Sequence, residues 1–65
     1  MNNTDSFELS YLRTMTKGLA TNLRSAIACK NWDLVSLIAD EIERVPADGE
    51  KAAKSYAERA DARAA

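Results

Sequence analysis

Residues 12–45 read LRTMTKGLATNLRSAIACKNWDLVSLIADEIERV and hold almost every large apolar residue of the chain. Stepped at helical spacing, Leu9, Leu12, Met15, Leu19, Leu23, Ala26 and Ile27 fall within an arc of roughly 120°, which predicts a first amphipathic helix over about Phe7 to Lys30. Trp32, Leu34, Val35, Ile38, Ala39, Ile42 and Val45 fall within roughly 160°, with Leu37 on one flank, which predicts a second helix over about Trp32 to Val45. Between them Lys30-Asn31-Trp32-Asp33 reads as a tight polar turn. Lys30 suits the negative end of the first helix, Asn31 can close that helix or cap the next, and Asp33 suits the positive end of the second. So short a connection requires two antiparallel helices.

The flanks are weaker. Met1 to Asp5 are expected to fray, with Asp5 capping the first helix and Glu8 reaching back in a capping box. Val45-Pro46-Ala47-Asp48-Gly49 is expected to end the second helix, because proline cannot donate to the helical ladder and restricts its predecessor. Residues 49–63 then read as a third, Ala-rich helix with Tyr56 as its main core contact. The expected architecture is all-α: a hairpin over residues 6–45 plus a third helix or tail over 46–65, in one small domain that dimerises into a helical bundle.

The expectation of a dimer has two sources. A 65-residue chain has a small core, and with one cysteine and no histidine neither a disulfide within the chain nor a zinc site can reinforce it. The apolar arc of the second helix is also wider than one neighbouring helix needs. Val35, Leu37, Ile38, Ile42 and Val45 are therefore the expected self-interface.

Charge is segregated. Arg13, Lys17, Arg24 and Lys30 lie between Leu9 and Trp32 with no acid among them, whereas Asp33, Asp40, Glu41 and Glu43 face only Arg44 in the second helix. Arg13, Lys17 and Arg24 form a ridge beside the apolar stripe, suited to the acids of the second helix, to an acidic partner protein or to phosphates. A net charge of −1 gives little support to nucleic-acid binding. Trp32 either covers the end of the hairpin core or stands out as a partner anchor, and Tyr11 extends the apolar face. These five residues, Tyr11, Arg13, Lys17, Arg24 and Trp32, are the expected partner-binding set.

Signals for chemistry are few. There is no histidine to act as acid or base or to activate Cys29, which reads as a small half-buried residue. With only Gly18 and Gly49, no glycine-rich phosphate loop exists. Gly18 reads as a tolerated surface glycine or a point of close backbone approach. No metal or cofactor is expected, nor a membrane span, and with no secretory leader in the first residues the default compartment is the cytoplasm. Residues 26–35 resemble the helix–turn–helix junction of tetratricopeptide-type repeats, but no second copy follows, so the likeness extends only to hairpin geometry.

The functional expectation is a non-enzymatic regulatory or inhibitory protein that binds another protein, as a homodimer, in the manner of small phage and plasmid accessory factors. The alternative is a small nucleic-acid-binding transcriptional regulator that uses the ridge of the first helix.

Overall fold

A computed structural model describes residues 2–64. Among them are two helices, α1 (Asn3–Ala28) and α2 (Trp32–Ala64), packed as an antiparallel hairpin. The molecule measures 51 × 16 × 15 Å. Its long dimension is that of α2, about 50 Å at 1.5 Å per residue.

Helix α1 begins earlier than Asp5. Asn2 is extended, and its Oδ1 accepts the Asp5 N–H at 2.7 Å. Asn2 offers the same capping chemistry three residues upstream, and Asp5 moves to the third helical position, where its charge still faces the positive helix end. Asn3 to Asp5 are therefore helical rather than frayed; Met1 lies outside the described residues.

The turn uses both roles open to Asn31. The Lys30 N–H donates to the Ile27 carbonyl at 3.0 Å and the Asn31 N–H to the Ala26 carbonyl at 2.9 Å. This is the paired closure of a Schellman motif, with Lys30 in the left-handed region at φ 54°. An L-residue there costs about 1–2 kcal/mol, a position glycine would fill more easily. The Asn31 Oδ1 then accepts the Leu34 N–H at 3.2 Å and caps α2. One residue ends one helix and begins the next, which fixes the hairpin geometry.

The expected break at Pro46 does not occur, and no separate third helix forms: α2 runs through Pro46 to Ala64. The proline removes a donor and crowds the Ile42 carbonyl, a cost of about 3 kcal/mol inside a helix. Two features offset it. Pro46 is exposed, so its ring does not intrude into the packed seam. The covered stripe also keeps its phase across the proline: Ile38, Val45 and Ala52 recur every seven residues, and Val35, Gly49 and Tyr56 fall at multiples of seven. Ending the helix at Val45 would detach the second half of that stripe from α1. The stripe on α1 repeats likewise at Leu12, Leu19 and Ala26. Matching heptads produce the shallow left-handed packing of a coiled coil.

The core is Leu19, Ala26, Ile38 and Val45, with Leu12, Leu23 and Val35 packed against it. Towards the open end α2 becomes small and α1 supplies the bulk. Gly49 is buried, and a Cβ there would stand 2.5 Å from Leu12 Cδ2 and 3.1 Å from its Cγ. The close approach therefore belongs to Gly49. Gly18 has nothing within 4 Å of a built Cβ. Beyond Gly49, Tyr56 stacks face to face on Phe7 with centroids 4.5 Å apart and planes at 7°. That contact secures the C-terminal half of α2.

Two predictions follow from this packing. Pro46→Ala raises the unfolding free energy by up to about 3 kcal/mol in urea denaturation; a loss would show that the proline stabilises the helix in place. Gly18→Ala gains about 0.5–1 kcal/mol from helix propensity, whereas Gly49→Ala loses that gain to the overlap with Leu12. Equal gains at both positions would contradict the close approach at Gly49.

Candidate functional site

A pair of helices has one seam, and each helix directs only part of its apolar arc into it. The centre of the α2 arc meets α1: Ile38 is 5% exposed and Val45 8%, with Val35 partly covered. Three members of the expected self-interface, Val35, Ile38 and Val45, thus belong wholly or partly to the hairpin core, and Ile38 and Val45 are unavailable to a second chain in this conformation. Leu37, 60% exposed, and Ile42, 42% exposed, remain uncovered. At about 100° per residue they leave the seam on opposite sides. The wide arc therefore becomes two separate exposed edges.

Those edges define two faces that run the length of the hairpin. On one, Leu34 and Leu37 of α2 accompany Met15 and Tyr11 of α1. Charge interrupts this face, because Met15 and Leu19 share a shallow depression with Glu41, Arg44 and Asp48. Nearer the open end, Phe7, Tyr11 and Tyr56 line an open groove of about 370 Å³ together with Asp48, Lys51 and Arg59. Tyr11 is partly buried and its ring lies 6.5 Å from that of Phe7. It belongs to an aromatic cluster that the sequence reading missed. Phe7 sits outside the main stripe, and its role depends on Tyr56 reaching it along a continuous α2.

The opposite face carries Leu9, Leu23 and Ile27 of α1 and Val35 and Ile42 of α2. Leu9, Ile27 and Ile42 are exposed, while Leu23 and Val35 are partly buried. Trp32 stands at the turn end of this face and is 61% exposed. It does not cover the core. It is the first residue of α2 and points roughly 110° away from the seam. The indole is directed outward, away from the core.

Arg13, Lys17 and Arg24 are all exposed. They point roughly 115° to 155° away from the seam, so they form a ridge on the outer side of α1 and do not turn towards the acids of their own α2. Lys17 also has its carbonyl engaged by the Thr21 hydroxyl at 3.1 Å. Cys29 is exposed rather than half-buried, at the C-terminal cap of α1.

Among the described residues, no cluster of three or more His, Cys, Asp and Glu is placed to hold a metal ion. No described helix is long and apolar enough to cross a membrane. What the molecule offers is surface: two long faces of different character, a basic ridge and an outward tryptophan.

The placement of adjacent residues generates a prediction. Ile38→Ala opens a cavity in the seam and costs about 2–5 kcal/mol, whereas Leu37→Ala changes the stability of the hairpin by no more than about 0.5 kcal/mol. Chemical denaturation of both variants checks this; a larger cost at Leu37 would mean that the seam lies one residue over. The chain matches no protein-family model, no curated protein and no solved structure.

Proposed function

We propose that the chain is a non-enzymatic helical interaction protein that associates with itself as a homodimer and regulates a second protein by binding it. One observation carries this reading. The hairpin exposes 5232 Å², against about 4,100 Å² for a compact monomer of its mass. Its radius of gyration is 15.1 Å, against about 11 Å for a compact chain of 65 residues. The excess, about 1,100 Å² per chain, exceeds the roughly 800 Å² that each partner contributes to a standard stable interface. Seven large apolar residues lie on that surface. A lone seam whose central side chains are all still 2–8% exposed gives a weak core by itself. Docking a second helical surface on it is the ordinary remedy, and pairing two hairpins gives a four-helix arrangement.

A dimer that uses one face leaves the other free. The Tyr11, Leu34 and Leu37 side has the mixed character of a recognition surface, with apolar anchors among charges. The part of the basic ridge that the dimer leaves free favours an acidic partner. Three cations on one helix of a chain with net charge −1 are a small footprint for phosphate binding, so a protein target is the better-supported reading.

Sedimentation equilibrium tests the association. It is expected to return twice the chain mass at micromolar concentration, with dissociation on dilution. A single-chain mass at every concentration would overturn the homodimer. For the target, nucleic acid binding at low salt that falls steeply as salt is added would overturn the protein-binding reading in favour of a phosphate-binding one.

A further inference from the structure

Of the two uncovered faces, one is free of charge along most of its length. On α1 it comprises Leu9, Thr16, Ala20, Leu23 and Ile27, spaced by seven, four, three and four residues. On α2 it comprises Val35, Ala39, Ile42 and Pro46. All nine project within roughly 100° of the seam on the same side. No Asp, Glu, Lys or Arg falls in that sector between Leu9 and Ile27 of α1 or between Val35 and Ala57 of α2. The opposite face has Glu41 and Asp48 in the equivalent sector.

The two rims of the uncharged strip differ in sign. Along the α1 edge stand Arg13, Lys17 and Arg24; along the α2 edge stand Glu43 and Glu50, with Lys54 further towards the open end, about 9 Å along the axis from the level of Arg13. The contact of Leu12 with Gly49 sets the relative height of the helices. Counting outward from it, Arg13 is level with Glu50 to within about 3 Å and Lys17 with Glu43 to within about 1.5 Å along the axis. In one hairpin the members of each pair are on opposite rims, separated by the width of the strip.

We infer that this uncharged strip is the homodimer interface, and that its twofold axis runs parallel to the helices, so that α1 of each copy lies beside α2 of the other with both turns at the same end. The inference rests on the self-association proposed above and specifies its face and symmetry. The occupant is a second copy because the strip is complementary to itself under one operation. A rotation about an axis parallel to the helices sets the basic rim of each copy against the acidic rim of the other, at matching heights. Arg13 then meets the second copy's Glu50 and Lys17 its Glu43, and each pair occurs twice. The other twofold that stacks these faces, about an axis across the helices, places basic rim on basic rim and acidic on acidic. The small residues Ala20, Thr16 and Ala39 let the backbones approach, and Leu23, Val35 and Ile42 fill the centre. Leu37 takes no part, since it stands on the opposite face. Arg24 has no acid at its level on the α2 rim and stays available to a third molecule.

Five proteins compared by sedimentation equilibrium, with circular dichroism on the same samples, test the arrangement. The unaltered chain and Leu37→Glu are expected to dimerise alike. Ala39→Glu places a charge in the strip, at a site exposed in the single hairpin, and is expected to weaken the dimer by roughly a hundredfold or more. Arg13→Glu sets acid against acid and is expected to weaken it by roughly tenfold. The double variant Arg13→Glu/Glu50→Arg exchanges the two charges and is expected to restore the affinity. That restoration is a readout that misfolding cannot mimic. Disruption by Leu37→Glu with Ala39→Glu unaffected would overturn the choice of face. Loss in Arg13→Glu without recovery in the double variant would overturn the axis. An unaltered chain that remains monomeric would overturn self-association itself, and this interface with it.

Discussion

Two helices share only one seam, and everything else in this molecule follows from that constraint. An amphipathic helix of globular type has an apolar arc wide enough for two neighbours. With a single neighbour, part of each arc stays wet. Here Ile38 and Val45 reach the seam while Leu37 and Ile42, each one or a few residues away, do not. The exposed apolar residues are therefore a consequence of the hairpin itself, arranged by helical geometry into two strips rather than scattered.

The seam is held by phase more than by bulk. Heptad spacing on both helices keeps Leu12, Leu19 and Ala26 against α2 over the length of α1, and the pattern on α2 passes through Pro46 without a shift. Local chemistry at Pro46 opposes the helix by about 3 kcal/mol. Tertiary contacts on the far side, at Gly49, Ala53 and the Phe7–Tyr56 stack, oppose the break. Gly49 contributes by having no side chain: in a linker it would supply flexibility, whereas here it supplies space for Leu12.

The hairpin was legible in residues 12–45 because apolar periodicity and a four-residue polar turn, Lys30 to Asp33, are both local signals. Asn31 was readable as a cap for either helix, though not that it would serve both. The continuous α2 is not legible at Pro46 itself, because the proline is a local breaker and the contacts that override it are tertiary; Val45, Gly49 and Tyr56 on one stripe are the available signal. Phe7 is hidden for the same reason, since its partner Tyr56 comes within reach only along a continuous α2. The candidate surface was legible only in part. Adjacent residues such as Leu37 and Ile38 look equivalent in an arc of apolar positions, and only the direction of the neighbouring helix separates core from surface. Trp32 could be read either way until its position at the first residue of α2 turned it outward.

The hairpin has a single seam, and under the proposed self-association a second copy would cover one of the strips that the seam leaves open, which would make folding and association one process. Stability should then depend on protein concentration, because a species present only in the folded state shifts the equilibrium by mass action. The most direct measurement is the thermal unfolding of helical circular dichroism over a roughly hundredfold range of protein concentration. The account predicts a midpoint that rises steadily with concentration. A midpoint that stays constant across the range would show a hairpin that is stable alone, and would contradict the claim that a second copy completes the core.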